Sequence, residues 1–221
     1  MSDTLLQPTP PTSLRERKKA RTRAALIEVS QRLFAERGYA ATTLEDICAE
    51  VEIRPQTLLR YFDSKARLAL APTSDPLEHV QAVLGSVRRD VPALEVWREF
   101  LRREAAEAET PTSGVTVSYL RNLRAGRKWL DRDPALVAVA ADIERSLRAS
   151  LAAALAADRR VPTDDLHSTL LASVLVTGRV AVWSRWLDDP KRDGSILDDQ
   201  LAVVDYAVVN LPLDGLPTSG G

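Results

Sequence analysis

Apolar positions recur at helical spacing along almost the whole chain, and no segment shows the alternation of a half-buried strand. Leu26, Ile27, Leu33 and Phe34 form the first such face. Their segment opens at Ser13, with Glu16 three residues on, and closes at Gly38. A Ser-x-x-Glu pair is a capping-box signature and a glycine past the last periodic residue is a helix stop, so a first helix is expected over 14–37. Leu44, Ile47, Cys48 and Val51 fall at i, i+3, i+4 and i+7, behind Thr42, which has Glu45 three residues on and is the expected N-cap. Glu52, Ile53 and Arg54 interrupt the pattern. Pro55 then stands at the first position of a short third helix, where its missing N–H costs nothing. That helix carries Leu58 and Phe62 on one side and Gln56, Thr57, Arg60 and Tyr61 on the other. Asp63 or Ser64 is expected to cap a short fourth helix, with Pro72 and Pro76 breaking the chain over 71–76.

The remainder predicts helix after helix: 75–89 with Leu77, Val80, Leu84 and Val87 inward; 92–109 with Leu94, Trp97, Leu101 and Ala105 inward; and 115–130. Three more follow: 134–157 behind a capping Asp133, 162–187, and 196–210 behind Ser195. The expected fold is all-α, with an N-terminal three-helix domain holding a helix-turn-helix and a larger C-terminal helical domain. The expected divisions are a disordered arm over 1–12, the small domain over 13–71 with its helix-turn-helix at about 43–62, the large domain over 72–211, and a flexible tail over 212–221. His167, Leu170, Val174, Gly178 and Val182 give the penultimate helix a mixed face on which Gly178 would admit a partner helix closely. Ile196, Leu201, Val204 and Val208 give the last helix a broad apolar stripe. The stripes pack either on the protomer's own core or on a second copy.

Charge sharpens this division. The net charge is −1, which by itself does not announce a nucleic-acid binder. Yet Ser13 to Arg67 holds 12 Lys/Arg against 8 Asp/Glu, and Arg15 to Arg23 holds six basic residues against Glu16 alone. A basic head on an acidic body fits a protein that offers one end to DNA. A short helix that hides an aliphatic-aromatic edge and shows amide, hydroxyl, guanidinium and phenol groups suits a major groove. The single cysteine, Cys48, excludes an intramolecular disulfide and fits a reducing cytosol. The first 13 residues are polar and proline-rich, unlike a signal peptide, and the apolar run from Leu170 to Trp183 is broken by Arg179 and is short for a bilayer. A soluble cytoplasmic protein is expected.

Chemistry of other kinds is scarce. The nine glycines form no phosphate-binding loop or dinucleotide fingerprint, and His79 and His167 lie on separate helices. No catalytic residue, metal ligand or cofactor is expected.

Several linked motifs resemble the DNA-binding domain of the TetR (tetracycline-repressor) family of transcriptional regulators. They are Phe34-Ala35-Glu36-Arg37-Gly38-Tyr39, Thr42-Thr43 before the second helix, and Tyr61-Phe62 followed by Ser64-Lys65; the likeness covers roughly Leu14 to Leu70. This chain departs from the family pattern at Glu52, where a glycine is usual, at Arg54, where Ser or Thr usually caps the next helix, and at Leu59, where an aromatic residue is common. The resemblance implies phosphate contacts from Tyr61 and Lys65. The residues themselves add Thr42 and Thr43 as a phosphate site at a helix N-terminus, and Gln56 and Thr57 as base readers. Arg54 and Arg60 are further DNA contacts, and Arg17, Lys18 and Arg21 are phosphate neighbours.

For a small-molecule site the candidates are Trp97, Phe100, Tyr119, Asn122, Trp129, Arg179 and Trp183. Such a Trp-rich lining suits an apolar or aromatic effector. The resemblance thus implies a ligand-responsive repressor. It would bind a palindromic double-stranded operator as a homodimer paired through its final helices, released by that effector, with no membrane partner. Two other classes stay open: an effector-binding helical protein without DNA binding, and an α-helical enzyme whose groups assemble from distant positions.

Overall fold

The computed structural model describes residues 13–86, 90–130, 133–189 and 194–211, without the side chains of 125–130. The expected arm 1–12, tail 212–221, Val87 and Arg89, most of the turn after Asp189, and the Trp129 side chain lie outside the described residues. Nine α-helices are present among them: α1 (Leu14–Arg37), α2 (Leu44–Val51), α3 (Pro55–Leu59), α4 (Lys65–Leu84), α5 (Ala93–Glu109), α6 (Gly114–Leu130), α7 (Pro134–Arg159), α8 (Leu166–Asp188) and α9 (Ile196–Asn210).

Local signals set most ends. Ser13 and Glu16 form the expected capping box on α1, whose other end stops at Gly38 with a φ of +86°. The Asp133 carboxylate accepts from the N–H groups of Ala135 and Leu136 at the start of α7. Ser64, rather than Asp63, caps α4 by accepting from the Arg67 N–H. The start expected at 162 for α8 moves to Leu166, because Asp165 caps it through the Ser168 N–H.

The expected break at 71–76 is absent. Pro72 and Pro76 both lie inside α4, which runs unbroken for 20 residues. Each proline removes one i→i−4 bond, a cost of about 3 kcal/mol in an isolated helix. Burial offsets it on both sides: Leu68, Ala69, Leu70 and Ala71 are buried before the prolines, and Leu77, Val80 and Leu84 after them.

The described residues divide into two compact units, 13–76 with 110–142, and 77–109 with 143–211. The expected boundary at 71–72 therefore does not mark the division, and α6 belongs with the amino-terminal helices. Its tie there is a buried amide cluster. Asn122 donates its Nδ2 to the Gln31 side-chain oxygen at 2.9 Å and to the Gln31 backbone carbonyl at 3.0 Å. Gln31 in turn donates to the Ala69 carbonyl of α4 at 3.0 Å. Three helices thus share one buried polar contact, where an unpaired amide would be costly.

The other unit packs α5, α7, α8 and α9 with the end of α4 around Trp97, Leu101, Leu151 and Leu175. Gly178 is not open to a partner helix, contrary to expectation. A Cβ there would sit 2.3 Å from Val203 Cγ1, so its missing side chain admits α9 of the same protomer. Ile196 and Val204 are likewise buried in this protomer. The apolar run expected to be short for a bilayer sits within the longer α8, whose length and composition would allow it to cross a membrane. Here Leu171, Ala172, Leu175 and Val176 of that helix are buried in the core.

Replacing Asn122 by leucine strands the Gln31 side-chain oxygen, while the Gln31 backbone carbonyl lies within α1. The variant is expected to lose about 1–3 kcal/mol in denaturant unfolding. Pairing it with Gln31→Leu should cost less than the sum of the single changes; strict additivity would show that the two amides do not act together.

Candidate nucleic-acid interface

A five-residue helix has too few internal hydrogen bonds to persist alone, so α3 is held by what flanks it. Before it, α2 ends at Glu52, whose backbone is left-handed at φ +57°, ψ +42°. That conformation turns the chain, and both the Glu52 and Ile53 N–H groups close on the Cys48 carbonyl. Arg54 is extended and offers no side-chain cap, but its carbonyl accepts from Thr57 and Leu58. Beneath α3, Leu58 is 0% exposed and Phe62 is buried. Beyond it, the Tyr61 and Phe62 N–H groups both bond to the Leu58 carbonyl. The Arg23 guanidinium lies 4.6 Å from the Phe62 ring centre and ion-pairs with Asp75, which fixes the basic half of α1 beside the end of α3.

Apart from Leu59, what remains outward is polar and basic. Arg54, Gln56 and Arg60 are exposed, as are Arg17, Lys18 and Arg21 on α1, and Thr57 and Tyr61 are half-buried. The expected groups of α1, α2 and α3 are therefore brought into one unit, with one correction and one added contact.

The first concerns the start of α2. Its N-cap is Thr43, not Thr42, and the capping partner is Asp46, not Glu45. Thr43 Oγ1 accepts from the Asp46 N–H at 3.1 Å, and the Asp46 carboxylate accepts from the Thr43 N–H at 2.8 Å. The Thr43 N–H, with its hydroxyl, holds the Asp46 carboxyl below the usual carboxylate range. Thr42 is buried, and its hydroxyl donates to the Gly38 carbonyl at 2.9 Å. It staples the end of α1 instead of offering a hydroxyl to phosphate.

The second concerns Lys65. Its ammonium lies 4.2 Å from the Tyr39 ring centre, half-buried, and burial pulls its pKa below the ordinary value. Burial first, and the Asp133 carboxylate next, push the Tyr39 phenol up to about 12. Lys65 therefore has a packing role that the sequence did not signal.

The small-molecule candidates are not all gathered. Trp97, Phe100, Arg179 and Trp183 meet in the second unit. The Trp97 and Phe100 rings are 5.4 Å apart, and Arg179 stands 5.5 Å from the Phe100 centre. Arg179 donates through Nε to Glu104 at 2.8 Å, and Trp183 Nε1 donates to the same carboxylate at 2.8 Å. Glu104 is the residue that sequence reasoning missed, since nothing in its spacing relates it to a position 75 residues away. Trp97 Nε1 is fully buried without a hydrogen-bond partner among the described residues. Tyr119 and Asn122 fall in the other unit, bonded to Thr73 and Gln31. Asn122 is thus a structural amide there. No cluster of three or more metal-ligating side chains occurs among the described residues.

A test of the turn follows from Glu52. A non-glycine residue in the left-handed region costs about 1–2 kcal/mol, partly recovered through its lower unfolded-state entropy. Glu52→Gly is expected to raise stability by about 0.5–1 kcal/mol in denaturant unfolding. A loss of stability would mean that the Glu52 side chain contributes more than its backbone costs.

Known proteins place this geometry. Residues 26–71 match the family model of bacterial regulatory proteins, tetR family. The HTH-type transcriptional regulator TcmR of Streptomyces glaucescens is 48% identical over 61 residues, which is 28% of this chain and 27% of that protein. The chain thus aligns with about a quarter of the length of this curated relative. Among solved structures, SmeT in its triclosan complex matches with a TM-score of 0.61 at 17% identity, over 91% of this chain and 98% of that one. FadR of Thermus thermophilus, a TetR-family repressor solved with lauroyl-CoA, matches with a TM-score of 0.56 at 19% identity, over 90% and 100%. At such identities these two establish the all-α fold. Residues 26–71 thus carry the sequence pattern of the tetR family of bacterial regulatory proteins, and the chain shares its all-α fold with these two solved structures along most of its length.

Proposed function

We propose that this protein is a cytoplasmic transcriptional regulator that binds a palindromic operator as a homodimer and is released from it by a small apolar or aromatic effector. The observation that carries the DNA side is the division of α3. Leu58 is withdrawn completely into the core, which leaves Gln56, Leu59 and Arg60 outward on a helix fixed beside the basic start of α1. Gln56 suits the N6/N7 edge of adenine, and Thr57 a thymine methyl. Arg17, Lys18 and Arg21, with Tyr61, Thr43 and Arg60, supply phosphate contacts. Arg54, exposed at the head of α3, reaches guanine or phosphate.

The effector side rests on the core of the second unit. A buried indole N–H without a partner costs about 1–3 kcal/mol, and an acceptor atom on a bound molecule would offset that. Arg179 is already neutralised by Glu104, so a neutral molecule suits the site better than a strong anion. Neighbours of this fold solved as a triclosan complex and with lauroyl-CoA support a small-molecule effector. Pairing of two copies is supported by Leu166 and Leu170 of α8 and Tyr206 and Val209 of α9, all exposed. The Gly178–Val203 approach and the bond between His167 Nε2 and the Leu211 carbonyl run these helices antiparallel, which brings the four residues to one end of the pair.

Selection from random duplexes with the full chain at two salt concentrations tests the DNA assignment. An enriched palindrome is expected. Alanine at Arg17, Lys18 and Arg21 together should weaken binding to every duplex and reduce the salt slope by about three, whereas Gln56→Ala should change preference at one position. Absence of any enriched sequence from protein stripped of ligand by refolding would exclude an operator-binding regulator.

A further inference from the structure

Leu59 is the exposed large apolar residue of the helix-turn-helix. It is 43% exposed, while its neighbour Leu58 is 0% exposed. It stands three residues after Gln56 and directly before Arg60, so the amide, the isobutyl group and the guanidinium share one outward side of α3. Close to half of its surface stays open to solvent. A single exposed leucine on an ordinary surface needs no explanation, but the surroundings here are particular. The leucine lies between two side chains suited to polar base edges, on a helix whose opposite edge is locked in the core. The largest apolar group that a major groove presents along its floor is the C5-methyl of thymine; the hydrogen-bonding edge groups and the phosphates are polar.

We propose that Leu59 reads the C5-methyl group of a thymine in each operator half-site and so is a specificity-determining residue. The spacing suggests which thymine. Three residues of helix advance about 4.5 Å along the axis, close to the roughly 3.4 Å between base pairs. The methyl group therefore belongs to the pair read by Gln56 or to the pair next to it. If Gln56 takes adenine, the two side chains together select an A·T pair, through the purine edge by hydrogen bonding and through the pyrimidine by contact. This inference rests on the proposed function, and the test separates the two.

The test uses the full-length protein and the enriched duplex, with each half-site thymine replaced in turn by deoxyuridine. That change removes the methyl group and leaves every hydrogen-bonding atom in place. Affinities are measured by fluorescence anisotropy at fixed salt for the native chain and for Leu59→Ala, whose helical signal and melting should match the native ones because the side chain is exposed. Removing contact with one methyl-sized group should weaken binding about three- to tenfold. For the native chain, one thymine per half-site should show that loss. For Leu59→Ala, the same replacement should have no effect, and its affinity for the thymine duplex should already be lower by a similar factor. Equal sensitivity to uridine in both proteins, or no sensitive thymine, would overturn the assignment of Leu59 while leaving operator binding intact. Failure to enrich any duplex would remove the regulator and the leucine contact together.

Discussion

The burial of Leu58 is the contact on which the rest of the head depends. Five residues cannot sustain a helix by their own hydrogen bonds, so α3 exists because its one fully buried side chain is packed beneath it. The same carbonyl that ends the helix, that of Leu58, accepts from both Tyr61 and Phe62 and so ties its backbone to the next buried ring. Arg23 then lies against that ring and pairs with Asp75, carrying the register of α3 to α1 and α4. An outward amide or guanidinium can be positioned to within an ångström only if the opposite edge of its helix cannot move. The core of this head therefore serves geometry as much as stability.

The first helix was legible in the sequence because its signals are local. Ser13 and Glu16 box its start, Gly38 stops it, and Leu26, Ile27, Leu33 and Phe34 lie on one face. The start of α2 was half legible, because two threonines in a row each have an acid three residues on. The structure selects Thr43 because the Thr42 hydroxyl finds the Gly38 carbonyl, a partner that no spacing rule contains. The two prolines of α4 misled for the opposite reason: a local rule was clear, and burial on both sides outweighed it.

Long-range polar contacts were not legible at all. Gln31 and Asn122 are 91 residues apart, and Glu104 and Arg179 are 75 apart; the first pair is buried, the second partly so, and both are bonded. Neither carries a periodic or capping signature. Their discovery changes assignments. Asn122, grouped in sequence with the effector candidates, joins α6 to α1, while Arg179 and Trp183 are ordered by a carboxylate that sequence reasoning left out. Gly178 shows the same lesson for packing, since a glycine on a mixed helical face admits whichever helix comes near, and here that is α9 of its own protomer.

The family match covers the helix-turn-helix in sequence, the solved structures match the rest in fold alone, and the central claim is that the outward side of α3, with the basic half of α1, meets DNA. Amide hydrogen exchange of the full chain, with and without an enriched duplex, tests it most directly. Added protection is predicted over residues 54–65 and over the first turns of α1, with α5 exchanging as before. Protection confined to other surfaces, with residues 54–65 unchanged, would contradict the account.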